Sequence, residues 1–254
     1  MSGQIDDILT SYTPISLAEM DSVKLMDRTD TKYVFSTSKL PEVLEKLKPH
    51  FRVLKVEEAL MSRYETLYYD TPSLDLYQKH QAQKSNRYKI RSRSYVESGI
   101  NFLEVKLKNN KGRTIKTRIK INEIIDDIKN CDLQSEFLHI QTGFDSEYFV
   151  PQFWVNYHRI TLVNLESKVR CTIDLNLQFV RNREVKDYSF LTILELKQES
   201  SSGSVVGDLM REMLIREGGL SKYCLGVVSF NPEVKQNNFK PQLLYINKIR
   251  NVIA

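Results

Sequence analysis

The sequence contains three cysteines, Cys131, Cys171 and Cys224, widely separated and with neither a CxxC pair nor a nearby histidine pair. That usage fits a reducing, cytosolic compartment and offers no pattern for a zinc site. No apolar run approaches the roughly 20 residues that span a bilayer, and residues 2–12 carry Asp6 and Asp7 where a leader would be basic. The chain is therefore expected to be soluble and unprocessed, reaching a membrane only through a partner. There is no solenoid-type repeat and no low-complexity tract. With 254 residues and 41% hydrophobic content it can bury one large core, and we expect one domain over 1–254.

What the sequence has is positive charge in one place. Residues 84–120 hold twelve Lys/Arg against two Glu, a local balance of +10 that leaves −5 for the rest of the chain. Such asymmetry points to a site. Arg87, Lys89, Arg91 and Arg93 recur at a period of two, so on a strand all four leave one face. Residues 102–108 and 114–120 repeat the alternation, and Glu195 and Lys197 bring it back near the end. A half-buried sheet with an ordinary wet face would mix polar residues and both signs.

The rest of the chain supplies further strands at 31–35, 63–69, 153–164, 168–179 and 190–198, with hairpin signals at Gly99 and Gly112. Helical spacing appears at 38–48, at 122–150 through Ile124, Ile125 and Ile128, at 205–216 and at 243–253, after a helical or loose lead-in over about 1–26. Asp70 and Asp75 read as turn and helix-start residues, and Trp154, Tyr68, Tyr69, Tyr95 and Tyr157 as core or rim aromatics. His158 should point away from Arg159, while His50, His80 and His139 read as surface residues. The pattern predicts an α+β antiparallel sheet or barrel.

Each strand has a dry face and an ionic face. From 169 to 177 the odd positions Cys171, Ile173, Leu175 and Leu177 are apolar, and the even positions Arg170, Thr172, Asp174 and Asn176 are polar. If helices cover the dry faces from outside, the ionic faces line a charged lumen. If the dry faces pack on each other, the ionic faces meet solvent. Alternation admits both.

Eight segments, in order, resemble a known family: residues 28–33 (RTDTKY), 67–77 (LYYD and LDLY), 89–95 (KIRSRSY), 102–106 (FLEVK), 157–159 (YHR), 170–174 (RCTID), 194–197 (LELK) and 221–223 (SKY). The family is the vacuolar transporter chaperone domain, a polyphosphate polymerase among the CYTH-like triphosphate tunnel metalloenzymes. The resemblance implies an eight-stranded antiparallel β-barrel or tunnel with helices packed outside. It implies that Lys32, Arg91, Arg93, Lys106 and Arg159 contact the reacting phosphates, with Lys116, Arg118, Lys197 and Lys222 as further phosphate-binding cations. Glu195 would be the principal ligand of Mn²⁺ or Mg²⁺; Glu104 is the other candidate ligand, or a cross-strand ion-pair partner on a wet sheet, and Lys89 is expected near the tunnel mouth. Where other tunnel enzymes carry acidic-x-acidic-x-Lys, this chain has Arg28, Asp30 and Lys32, which suits the polymerase branch.

The chemistry agrees with that assignment. A transferred phosphoryl group needs cations around its oxygens and a metal beside the leaving oxygen, and Mg²⁺ or Mn²⁺ takes one or two carboxylates plus phosphate oxygens. Expected partners are ATP and polyphosphate, with a separate membrane subunit if product is exported. A tunnel hydrolase and a non-catalytic binding module are the alternatives. Nucleic acid is not expected, because Glu104 and Glu195 within the basic strands repel phosphates unless a cation intervenes.

Overall fold

Alternating β-branched, aromatic and charged residues build most of the chain into one sheet. The computed structural model describes residues 2–21, 29–199 and 203–253, so Arg28 lies outside the described residues. The strands are β1 (Pro14–Ile15), β2 (Thr29–Ser36), β3 (Arg52–Leu54), β4 (Ser62–Asp70), β5 (Arg87–Tyr95), β6 (Ile100–Lys108), β7 (Thr114–Ile121), β8 (Val150–Asn164), β9 (Val169–Arg181), β10 (Glu184–Tyr188) and β11 (Leu191–Gln198). The helices are α1 (Ser2–Thr10), α2 (Leu17–Asp21), α3 (Leu40–Leu47), α4 (Asp75–Gln81), α5 (Asp132–Thr142), α6 (Val205–Glu212), α7 (Lys222–Phe230) and α8 (Lys240–Ile253).

The expected eight-strand antiparallel assembly is the path β2-β11-β9-β8-β4-β5-β6-β7. Hydrogen bonds do not close β7 onto β2 among the described residues. Gly218 donates to the Lys32 carbonyl at 2.9 Å, and Glu217 bridges to Tyr33, so a short segment after α6 occupies the edge of β2.

Three apolar clusters hold the sheet. Outside β2, β11, β9 and β8, helices α1, α3 and α6 pack Leu9, Leu44 and Met210 against Phe35, Leu194, Ile173 and Ile160. Outside β4 to β7, α5 packs Phe137 and Leu138 against Leu67, Ile90, Leu103 and Ile121. The third cluster forms on the other face, where α7 and α8 bring Tyr223, Val227, Phe230 and Ile246 against Val34, Tyr68, Phe153, Phe179 and Ile193. Helix α7 thus departs from the expectation that helices pack outside, and it fills one end of the concavity.

Four details of the sequence reading change. The apolar phase of β9 does not run through to Leu177: Asn176 adopts φ 53° beside a register shift opposite Asn156 and His158. That bulge turns Leu177 and Phe179 to the α7 side while Cys171 and Ile173 stay outside. Helix α6 ends at Glu212, because the chain reverses at Leu214 (φ 55°) to bury Ile215 and leaves Leu214 87% exposed. The helix expected within 122–150 forms only over α5, and Ile128 is anchored in a single 3₁₀ turn. His80 is no surface residue: its ring bonds the Tyr88 carbonyl at 2.9 Å and sits edge-on to Tyr223, and burial followed by the Lys89 charge lowers its pKa to about 3.

Gly226 explains how α7 seats so closely. A Cβ there would lie 2.3 Å from a Phe153 ring carbon and 2.9 Å from Phe179. Gly226→Ala should lower stability by about 1–3 kcal/mol through overpacking, against up to ~1 kcal/mol gained in helix propensity. A urea midpoint at or above that of the unsubstituted protein would contradict this seating.

Candidate functional site

The inward residues follow from the outward ones. Ile90, Leu103, Val105 and Ile121 fill the α5 cluster, so Lys89, Arg91 and Arg93 of β5, Glu104 and Lys106 of β6 and Lys116 and Arg118 of β7 take the opposite face. On the other strands, Tyr33, Ile160, Ile173, Leu194 and Leu196 face α1, α3 and α6, which turns Asp30, Lys32, Arg159, Asp174, Glu195 and Lys197 inward. Of the two arrangements that alternation allows, the ionic faces line the concavity. The sheet curls enough that Lys32 on β2 contributes to the electrostatic crowding of Lys106 on β6.

Three carboxylates in this basin, Glu104, Asp174 and Glu195, each serve two cations. Glu104, 1% exposed, accepts from Arg91 Nε at 2.8 Å through Oε2 and pairs with Lys116 at 2.5 Å through Oε1. Asp174 accepts from Arg159 Nε and Nη2 at 2.6 and 2.8 Å, and Lys222 of α7 donates to it as well. Glu195 pairs with Lys197 and faces Lys32 at 4.0 Å, and Lys197 also reaches Asp30 at 2.9 Å. Burial alone would raise these carboxyls, but the cations win. Arg91, Arg93 and Lys116 hold Glu104 at about 2, and Lys32 and Lys197 hold Glu195 at about 2. Asp174 is held lower still by Arg159 and Lys222.

Aromatic rings carry several of the cations. The Arg93 guanidinium lies 5.5 Å from the Tyr64 ring and donates to Thr66 Oγ1 at 3.2 Å. Arg159 lies 4.9 Å from Tyr64, Lys222 sits 4.3 Å above Tyr157, and Arg118, exposed on β7, stacks 4.2 Å from Phe102. Tyr68, buried beneath them, accepts from Arg91 Nη1 at 3.2 Å. Burial would raise its hydroxyl, but Arg91, Arg93 and Lys89 outweigh burial and bring it to about 8. Lys106 opens onto the solvent-accessible concavity; desolvation by its walls, then the charges of Lys89, Lys32 and Arg91, lower it to about 8.

The structure brings all eleven sequence-nominated site residues to this face, with Lys116 and Arg118 at its exposed β7 rim. Lys89 is misplaced by the sequence reading. It lies at the α7 end, donating to Ser221 Oγ at 3.0 Å, rather than at an open mouth. Sequence reasoning missed Asp174 and Tyr68 as members of the basin; the even position of Asp174 on the polar face of 169–177 was the available signal for it, while the face of β4 that carries Tyr68 is aromatic and gave none. It also undervalued Asp70. That buried carboxylate accepts from the backbone amides of Thr71, Leu76 and Tyr77 and from the Tyr223 hydroxyl, and so ties the start of α4 to α7.

Among the described residues no cluster of three or more His, Cys, Asp or Glu side chains forms a metal cage. A divalent ion that takes most of its ligands from phosphate needs only one or two carboxylates. Glu195, 22% exposed and linked to Asp30 through Lys197, fits that requirement. Glu104 does not fit it as well, since Arg91 and Lys116 already occupy both of its oxygens.

No curated protein matches this chain. Among solved structures, a putative adenylyl cyclase from Hippeastrum, described as revealing a dominant triphosphatase activity, aligns with a TM-score of 0.52 at 18% identity, over 80% of this chain and 96% of its own. A putative adenylate cyclase from Bacillus halodurans aligns at 0.48 and 12% identity over 77% and 96% of the two chains. The PH1819 protein of Pyrococcus horikoshii aligns at 0.46 and 16% over 80% and 98%. The first of these shares the fold. The family model described as the VTC domain matches residues 27–231, a span that starts two residues before β2 and ends just past α7, enclosing every side chain of the basin; the chain belongs to the VTC domain family.

Proposed function

We propose that this protein is a polyphosphate polymerase that transfers the γ-phosphoryl group of ATP to the end of a polyphosphate chain, all within one domain. Family membership supports a tunnel phosphotransferase or triphosphatase. The observation that carries the finer reading is the protonation state of the basin. Glu104 and Glu195 are held at about 2, and Asp174 is held lower, so none is an effective base near neutrality. A phosphate oxygen is an acceptor that needs no base.

In this reading Arg91, Arg93 and Arg159 surround the oxygens of the transferred group, with guanidinium planes fixed by Glu104, by the Tyr64 ring and by Asp174. Lys32, Lys106 and Lys222 add point charges, and Lys116, Arg118 and Lys197 extend the cationic lining for the rest of the chain. Glu104 then serves as the brace of Arg91 and Lys116. Members of this fold generally use divalent ions; Mn²⁺ or Mg²⁺ held by Glu195 with Asp30 would offset charge on the phosphate oxygens. Among the described residues no helix is long and apolar enough to cross a membrane.

A hydrolase reading has one observation in its favour. The Tyr68 hydroxyl, lowered to about 8, is partly ionised near neutrality, and its phenolate is able to take a proton from water.

Incubation with ATP and Mn²⁺ or Mg²⁺, with products sized on a polyphosphate-staining gel, should give chains that lengthen with time. Glu195→Gln should reduce the rate at least about a hundredfold. Orthophosphate without chains would replace the polymerase by the hydrolase.

The pH profile has a determined sign. Lys106 is cationic below about 8 and loses its charge above it, while Tyr68 is neutral below about 8 and becomes an anion competing for Arg91 above it. Both changes weaken phosphate binding as pH rises. kcat/KM for ATP should therefore fall above about pH 8 with two-proton steepness, and Tyr68→Phe should reduce it to one. A profile flat to pH 9 would refute the assignment.

A further inference from the structure

Two of the cations proposed to meet phosphate come from different layers, Arg159 from the middle of β8 and Lys222 from the first turn of α7. One side chain holds both. Asp174 stands opposite Arg159 in the β8–β9 ladder and takes its Nε through Oδ1 and its Nη2 through Oδ2, while Lys222 donates to the same Oδ2. The carboxylate is 4% exposed, and the two cations keep it ionised against the effect of burial.

A carboxylate here works against affinity. It neutralises part of the charge of Arg159 and Lys222, and it repels an incoming polyanion. What it provides is orientation. Asp174 occupies the Nε–Nη2 edge of Arg159, which leaves the two Nη1 hydrogens and the second Nη2 hydrogen pointing away from it. The guanidinium is also fixed in plane, 4.9 Å from Tyr64 and 5.4 Å from Tyr157, and Lys222 is held 4.3 Å over the same Tyr157 ring. Three contacts thus constrain Arg159 and two constrain Lys222 before any ligand arrives, and the sheet is joined to α7 at that point.

We propose that Asp174 is a positioning residue for phosphoryl transfer, holding Arg159 and Lys222 in register at the junction of the sheet and α7 at the expense of ground-state affinity for the phosphate chain. This rests on the triphosphate reading of the basin. It predicts a split that a structural ion pair does not produce, because freeing the two cations strengthens attraction for the ligand while loosening the geometry needed in the transition state.

The test is Asp174→Asn, with binding of inorganic tripolyphosphate measured by titration calorimetry and turnover measured with ATP and Mn²⁺. For the unsubstituted protein, absence of both binding and turnover overturns the phosphate reading and this proposal with it. With either intact, Asp174→Asn should keep or tighten Kd by about threefold, and where turnover is present kcat should fall about tenfold or more. Asp174→Glu should restore part of kcat. Unchanged kcat, or a Kd that weakens, overturns the proposal while leaving the phosphate reading in place. If Asp174→Asn fails to fold, Lys222→Gln and the pair Asp174→Asn with Lys222→Gln are compared. The pair removes one charge of each sign and should be the slower of the two; equal rates overturn the proposal.

Discussion

Like-charge crowding on one concave face is the constraint on which the rest of the structure depends. Unpaired, such a set of cations would push the sheet open. The structure answers with carboxylates each shared between two cations: Glu104 with Arg91 and Lys116, Asp174 with Arg159 and Lys222, Glu195 with Lys197 and Lys32. Each set keeps one surplus positive charge, and Lys89, Arg93 and Lys106 add to it. Together they leave a surplus of about six positive charges, more than the roughly four negative charges of a triphosphate. The basin is braced enough to fold and charged enough to bind.

The apolar clusters make that charge tolerable and also shape the site. Strands β2 and β11 change character along a single face, from Lys32 to Val34 and from Lys197 and Glu195 to Ile193 and Leu191. Where the face turns apolar, α7 enters and covers it. The concavity is therefore ionic toward one end and packed at the other, and Ser221 and Lys222 stand at the boundary with Lys89 and Asp174 as partners. Tyr223 extends the junction by reaching Asp70, which caps α4. The helix that fills the lumen is thus also a wall of the site.

Much of this was legible strand by strand. The period-two runs at Arg87 to Arg93 and Lys116 to Lys120 placed β5 and β7, and the family's short segments marked every nominated cation of the basin except Lys116 and Arg118. What failed did so for identifiable physical reasons. A bulge at Asn176 is a backbone event that alternation cannot announce, and it reassigned Leu177 and Phe179. His80 looked exposed because its burial depends on α7 arriving from the far end of the chain. The apolar stripe over 205–216 ignored the turn at Leu214, where burying Ile215 outweighs helix continuation.

The role of Asp174 was hidden for a deeper reason. Along a strand, inward charges of one sign are two residues apart, about 6.6 Å, while residues paired across neighbouring strands lie about 4.5–5.5 Å apart. Attraction across the ladder therefore acts at shorter range than repulsion along it. The register uses that difference at three places, with Arg91 opposite Glu104, Arg159 opposite Asp174 and Lys32 opposite Glu195, while Lys89, Lys106 and Lys116 stand in one row as like charges. A linear reading sees the repulsive direction and finds a run of cations. The attractive direction exists only once the strands are aligned, so the carboxylates that orient the cations acquire their partners from the fold.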